Sequence, residues 1–446
     1  MDKVLILGAG MVVKPIVKYL LDKNYKVTVA TRTRSKAEAM IGSHPGGSAI
    51  GWTVDDEAGL DRMISGHDIT VSLLPWAWHP LVARYCIRHG KHLVTTSYVK
   101  PEMKALDMEA RNAGIIILNE LGLDPGIDHM SAMRIIDKVH DNGGKIEGFY
   151  SICGALPAPE AADNPFMYKF SWSPKGVVMA GNNDGCFLRN GAVVNVPTEE
   201  LFRNPLKIDF PGVGQLEVYP NRDSLPYIGL YGIPETKTMF RGTFRHPGWC
   251  EIMDAMKQLG LLSVEKRDYS GMTYARFLAI TAGVEQEGNI REAIAGYLKT
   301  GAEGLPVTAL QWLGLFDDKP MERAVDSPFG IVSDMMIGRM MLDENERDMV
   351  AMQHIFLASY NGGKKEVIKS TMLDYGSPAT DTSVARTVAL PAAIGVEMIL
   401  EGSINARGVQ IPVIPEIYEP ILNRLEDMGI SLAEEYGLPE SEFIGD

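Results

Sequence analysis

The sequence predicts an α/β fold: a doubly wound parallel sheet at the N-terminal end, followed by an α+β region. Three observations point there. Over the first 125 residues, short apolar, β-branched runs alternate with stretches of helical spacing, the pattern of strand–helix–strand units. The strand runs are continuous rather than alternating, as in I-I-I-L at 115–118, which suits a sheet covered on both faces. After D-P-G at 124–126 the texture changes to strand-like stretches separated by loops rich in Pro, Gly, Asn and Asp.

The elements follow in order. Strands are expected at 4–7, 26–31, 49–53, 69–74, 92–95 and 115–118. Between them lie helical segments at 12–21, 35–41 (with Ser35 as a cap), 57–64, 80–88 and from Pro101 to about Ala113, where proline suits a first turn. A helix is expected from Ile127 to Asn142, stopped by Gly143 and Gly144. Further strands are expected at 146–152, 192–196, 215–219, 238–244 and 366–375, with mostly helical sequence over 247–341. The tail from Thr382 reads as a helix, a Gly/Pro-rich loop and a final helix. The domain division is therefore 1–125 with 382–446 packing back on it, 126–260 with 341–381, and a helical insertion at 261–340.

Composition bounds the function. The chain has 446 residues, enough for about three domains, and 46% hydrophobic against 22% charged residues rules out a disordered chain. Its 57 acidic and 43 basic residues give a net charge of −14, which argues against nucleic acid and anionic membranes as partners. Four cysteines, Cys86, Cys153, Cys186 and Cys250, form no C-x-x-C pair. A disulfide framework or a structural metal is not expected, and a reducing, cytoplasmic setting is. The start M-D-K-V-L-I-L reads as a strand rather than a leader, and the apolar stretch 384–400, which contains Arg386, Pro391 and Glu397, as a buried helix rather than a membrane span.

The motifs point to a dinucleotide. V-L-I-L-G-A-G-M-V-V at 4–13 places Gly8, Ala9, Gly10 and Met11 in a tight turn between strand and helix, where a pyrophosphate meets backbone N–H groups. The usual third glycine is Val13. The second strand ends in Thr31, Arg32, Thr33 and Arg34, with no carboxylate for ribose hydroxyls; a guanidinium there suits a 2′-phosphate, hence NADP rather than NAD. The bland alternative makes both arginines solvated loop charges. Thr95, Thr96, Ser97 and Tyr98 follow the fifth strand, where ligands of such sheets sit, or form a turn before Pro101. Asp124 is either part of that edge or the N-cap of the next helix, with Pro125 in its first turn, and His129, inside that helix, reads as a packed histidine rather than a base. Arg222, Arg241 and Arg245, with Lys169 and Ser173, are candidates for binding carboxylates or are surface charges. Cys153 ends a strand at a loop and reads as a small core residue. No hydrolase triad, phosphate-binding P-loop or H-E-x-x-H is present.

The loops resemble those of the saccharopine reductase family, the glutamate-forming saccharopine dehydrogenases. The resemblance rests on G-A-G-M-V at 8–12, T-R-T at 31–33, H-P at 79–80, T-S-Y at 96–98 and N-E-L-G-L-D-P-G-I-D-H at 119–129. It continues through C-G-A-L-P-A-P-E at 153–160, D-N-P-F-M-Y-K-F-S-W-S at 163–173, Y-P-N-R-D-S at 219–224 and R-G-T-F-R at 241–245. N-E-R-D-M-V at 345–350, L-D-Y-G at 373–376 and P-A-A-I-G at 391–395 extend it; no motif carries it over about 261–330.

The resemblance implies a Rossmann domain, an α+β substrate and dimerisation domain, a small helical domain and a homodimer. It implies that glutamate and aminoadipate semialdehyde form an imine, which NADPH reduces reversibly to saccharopine. By resemblance, residues 8–11, Thr31, Arg32, Thr33, Ser72, Thr95, Thr96, Leu123, Asp124, Pro125 and Ser173 line NADP(H). Ser97, Tyr98, Asp124, Arg222, Thr243, Phe244 and Arg245 hold saccharopine. Asp124, Tyr98 and Cys153 are the titratable groups expected near the reacting carbon, and no metal is expected. Two alternatives stay open: an imine reductase of the carboxynorspermidine synthase kind acting on a diamine and aspartate semialdehyde, and a nucleotide sensor without turnover.

Overall fold

A computed structural model describes residues 1–284, 289–322, 325–378 and 380–444. The expected segments 261–340 and 382–446 therefore include positions outside the described residues, namely 285–288, 323, 324, 445 and 446. The chain forms two compact units: residues 1–144, 360–364 and 369–436, and residues 145–359, 365–368 and 437–446.

The first unit is an all-parallel sheet. Its strands are β1 (Lys3–Leu7), β2 (Lys26–Thr31), β3 (Gly47–Gly51), β4 (Ile69–Ser72), β5 (His92–Thr95) and β6 (Ile116–Leu118). The order is β6-β5-β4-β1-β2-β3, with a short seventh strand, Gly408–Gln410, beside β6. Val4, Leu5, Ile6 and Leu7 are completely buried, because parallel crossovers cover both faces and leave no solvated side for alternation to mark. Ser383–Leu400 is apolar and long enough to cross a membrane, yet 83% of it is buried, and it packs on the helix Lys14–Asp22 and on β4 and β5. Its Glu397 accepts from the Tyr19 hydroxyl at 2.5 Å and pairs with Lys23 and Arg424, each at 3.0 Å.

Three local expectations are corrected here. β3 lies two residues earlier than expected, and Trp52 turns away with its indole N–H on the Asp56 carbonyl. The second helix, Arg34–Ile41, starts before Ser35, so Ser35 is not its cap. The helix Ile127–Asp141 has Gly126, not Asp124, at its N-cap position, and the Gly126 N–H donates to Asp128 Oδ1 at 2.6 Å. Pro125 precedes this helix in a cis peptide with Asp124. The helix itself lies with the first unit rather than the second.

The second unit is built on a mixed sheet. Its central strand, β7 (Lys145–Pro157), runs parallel to β12 (Thr238–Arg245) and antiparallel to the strand Asp348–Ser359. From β12 the sheet continues antiparallel through β11 (Gly214–Pro220) to β10 (Leu206–Phe210). The hairpin β8 (Gly185–Arg189) and β9 (Ala192–Val196) joins through β8 to β12. Phe149 and Phe356 stack at 4.3 Å between neighbouring strands, a cross-strand aromatic pair that adds to their area burial. About half of the expected insertion is helical, with Tyr274–Ala282, Ile290–Tyr297, Leu305–Leu313 and Pro328–Arg339. It does not separate as a third unit.

Candidate functional site

The carboxyl ends of the parallel strands gather the first group of predicted residues. At the end of β1, Gly8 has φ +112°, and a Cβ there would lie 2.9 Å from the Leu73 carbonyl oxygen. Glycine is required for the chain to turn. Gly10 differs: a Cβ there would meet nothing within 4 Å. The space above Gly10 is open in front of the helix Lys14–Asp22, and it fits a pyrophosphate approaching the backbone. Val13, in place of the third glycine, is completely buried at the start of that helix.

At the end of β2, Arg34 is tied to Glu38 at 2.8 Å one helical turn on. Arg32 is exposed and forms no side-chain hydrogen bond or ion pair among the described residues. Its guanidinium is thus the one at this strand end with its donors available for a phosphate. Thr31 and Thr33 flank it, half-buried and exposed.

The hydroxyls at the ends of β4 and β5 converge on a histidine that the motif reading had not made a site residue. His79 Nδ1 lies 2.9 Å from Ser72 Oγ, and Nε2 lies 2.9 Å from Ser97 Oγ and 3.1 Å from Thr95 Oγ1. Burial holds this imidazole neutral, with its pKa lowered to about 4. Ser72 and Thr95 are themselves completely buried. Thr96, Ser97 and Tyr98 are half-buried. The Tyr98 hydroxyl donates to Asp124 Oδ1 at 2.6 Å, so two of the three expected titratable groups meet in one hydrogen bond. Leu123 and Pro125 are buried on either side of Asp124.

A second buried pair lies beside them. Glu120, in the left-handed region at φ +56°, accepts from the Val99 N–H at 2.7 Å through Oε1. Its Oε2 lies 2.7 Å from His129 Nε2, so His129 is the packed histidine expected. Glu120 carried a visible signal, a carboxylate in the N-E-L-G turn. For His79 the only sequence signal was H-P at the start of a helix.

In the second unit the predicted residues fare differently from one another. Arg245 is only 3% exposed. Its guanidinium lies 5.0 Å from the Tyr168 ring, 5.6 Å from Tyr219 and 5.4 Å from Trp249. It donates to the Phe244 carbonyl at 2.8 Å and forms no ion pair among the described residues. Glu217, its cross-strand neighbour, instead accepts the Gly248 and Cys250 N–H groups at 3.2 Å each. A buried cation normally has a carboxylate partner, and Arg245 has none among the described residues. Arg222 is exposed, at φ +58°, and also forms no ion pair among the described residues. Arg241 is buried with its guanidinium 4.1 Å from the Tyr227 ring.

Several candidates are placed less directly. Phe244 is completely buried, packs edge-on against Phe210 at 5.3 Å, and has its carbonyl engaged by Arg245 at 2.8 Å, so neither its ring nor its backbone is open to a ligand. Thr243 is half-buried on the same strand. Ser173 is exposed just before the short helix Pro174–Ala180. Lys169 is corrected: its ammonium is held by Asp163 at 2.9 Å and by Glu346, which leaves it little capacity for a ligand carboxylate. Cys153 is also corrected in its setting. It lies inside β7 rather than at a strand end, buried between Thr243 and Met352. Among the described residues no cluster of three His, Cys, Asp or Glu could hold a metal ion.

Comparison with known proteins bears on both units. Residues 4–118 match the family model described as the saccharopine dehydrogenase NADP binding domain, and residues 122–430 match the saccharopine dehydrogenase C-terminal domain. The chain is 39% identical to saccharopine dehydrogenase [NADP(+), L-glutamate-forming] of Schizosaccharomyces pombe, over 98% of this chain and 99% of that protein. It is 37% identical to the Saccharomyces cerevisiae protein of the same name, over 97% and 98%. The solved apo structure of saccharopine dehydrogenase (L-Glu forming) from Saccharomyces cerevisiae superposes with a TM-score of 0.90 at 35% identity, covering 98% of this chain and 100% of that one. With both halves matched in order and the whole length covered, the chain belongs to the saccharopine dehydrogenase family.

Proposed function

We infer that the chain catalyses the NADP-dependent, glutamate-forming saccharopine dehydrogenase reaction. The amine of L-glutamate and the aldehyde of L-2-aminoadipate 6-semialdehyde condense to an imine with loss of water. Reduction of that imine with one hydride and one proton gives saccharopine, and the reverse reaction oxidises it. The enzyme is an oxidoreductase acting on a CH–NH bond, its cofactor is NADP(H), its substrates are small molecules, and the reaction belongs to lysine biosynthesis. The observation that carries this reading is the correspondence over the full length of both chains with the fission yeast enzyme of that name.

The residues support it. When bound, NADPH supplies the hydride. The turn at residues 8–11 would hold the pyrophosphate, Arg32 with Thr31 and Thr33 the 2′-phosphate, and Ser72, Thr95, Thr96, residues 123–125 and Ser173 the remainder. Arg245 and Arg222, with Ser97, Tyr98, Asp124 and Thr243, would bind saccharopine. Its carboxylates answer a buried guanidinium that has no carboxylate of its own. Tyr98 holds a proton at its hydroxyl, and Asp124 accepts that proton's hydrogen bond. The pair can give a proton to the carbinolamine oxygen as it leaves as water and take one from the amine. Cys153 is the third candidate for proton transfer.

We further propose a homodimer working in the cytoplasm. The resemblance supports the dimer, and four free cysteines support a reducing compartment. The test is NADPH oxidation with glutamate and aminoadipate semialdehyde, run beside a diamine and aspartate semialdehyde. Saturable turnover with the first pair alone is expected. Turnover with the diamine alone would overturn the reading, and no turnover with either pair would favour a nucleotide sensor.

A further inference from the structure

We propose that His79 and Glu120 are positioning residues that clamp the turn at residues 95–99 from two sides and thereby hold the Tyr98 hydroxyl on Asp124. The role of Tyr98 in the reaction rests on the function inferred above; the clamp itself is read from geometry.

One jaw acts through side chains. His79 opens the helix His79–His89 and is almost fully buried. Its two ring nitrogens reach three hydroxyls, Ser72 on one side and Thr95 with Ser97 on the other. Thr95 Oγ1 also accepts the Ser97 N–H at 3.2 Å. A neutral imidazole offers one donor and one acceptor, so the ring ties the end of β4 to the end of β5 and to the turn in a single hydrogen-bonded unit.

The other jaw acts through the backbone. The Glu120 N–H donates to the Ser97 carbonyl at 3.2 Å, and Glu120 Oε1 accepts the Val99 N–H at 2.7 Å. The carboxylate is itself fixed by His129 at 2.7 Å. Its left-handed backbone, φ +56°, is uncommon for glutamate and persists only where the surroundings impose it. Tyr98 lies between the two gripped residues, Ser97 and Val99, and its hydroxyl reaches Asp124 at 2.6 Å. A displacement of that hydroxyl by about 1 Å can cost on the order of 100-fold in rate.

The test is a double-mutant cycle with two readouts. His79→Leu should lower kcat with saccharopine about 10- to 100-fold and be partly rescued by His79→Gln, which keeps a donor and an acceptor. In a Tyr98→Phe background the His79 substitution should cost little more, because both act through one hydroxyl. A purely structural role predicts additive losses instead, and additivity would overturn the proposal. Hydrogen exchange of the Ser97 and Val99 amides reads the clamp without turnover. Exchange should speed up in His79→Leu, and in Glu120→Gln at Val99; unchanged exchange in both would overturn the clamp. Wild-type protein inactive on saccharopine would refute the inferred activity, and the exchange experiment would still decide the clamp. Should His79→Leu fail to fold, Glu120→Gln carries both comparisons, the cycle with Tyr98→Phe and the exchange of the Val99 amide.

Discussion

In the parallel-sheet unit the buried imidazole of His79 is ringed by three hydroxyls, and buried Glu120 has a backbone N–H and His129. In the mixed-sheet unit the buried guanidinium of Arg245 has three aromatic faces and one carbonyl, with no ion pair among the described residues. The contrast separates two jobs for a buried polar group. One whose hydrogen bonds are complete holds a shape. One whose charge is unanswered keeps capacity for a ligand, at a cost in desolvation that the fold carries when the ligand is absent. The same contrast recurs on a smaller scale between Arg34, tied to Glu38, and Arg32 beside it.

The largest expected effect breaks the unanswered charge. Arg245→Met should lower kcat/KM for saccharopine by about 3 kcal/mol, roughly 100-fold or more, mostly through KM, as expected when one partner of a buried charge pair is lost. Stability to denaturant should hold within about 1 kcal/mol, because no carboxylate is left unpaired by the change. Steady-state kinetics and urea unfolding on the same variant check both halves. If activity and stability fall together, Arg245 is structural.

The next effect probes the saturated group. Burial depresses the His79 pKa from 6.5 to about 4, so below pH 6.5 the unfolded chain binds a proton that the folded chain does not. The contribution is complete above pH 6.5 and is lost as pH falls toward 4, up to about 3 kcal/mol at 1.36 kcal/mol per pKa unit. Urea unfolding at pH 7 and pH 5 should show this slope in the wild type and a shallower one in His79→Gln.

The smallest effect sharpens the arginine comparison. Arg32→Asp should shift cofactor preference from NADP toward NAD by roughly 10- to 100-fold, the scale of one or two charge-assisted hydrogen bonds. Arg34→Asp should shift it less, since its guanidinium is already engaged with Glu38. Equal shifts would mean that the ion pair yields to the cofactor, and the ratio of Kd values for the two cofactors measures it.

Much of the parallel-sheet unit was legible because its strands are short apolar runs at regular spacing, and because G-A-G must turn after β1. The long strand Asp348–Ser359 was not read. D-M-V-A-M-Q-H-I-F-L-A-S is nearly all buried, so neither a two-residue nor a helical period marks it. β8, β10 and Gly408–Gln410 were also missed, being three to five residues long and recognisable only by their sheet neighbours. Tyr98 and Asp124 were each visible as candidates, but their hydrogen bond spans 26 positions and closes only in the fold.

The sequence by itself determined the classes of chemistry available: a glycine turn for phosphates, a strand end with arginines and no carboxylate, hydroxyls after β5, and arginines in an acidic chain. These depend on residue type and local spacing, and both survive in one dimension. Only the tertiary structure decided which groups are already engaged. Lys169 finds Glu346 and Asp163, Arg34 finds Glu38, and His79 finds Ser72, Thr95 and Ser97, while Arg32 and Arg245 find no carboxylate among the described residues. Engagement depends on distances of about 3 Å and on burial, and neither is written in the order of the residues.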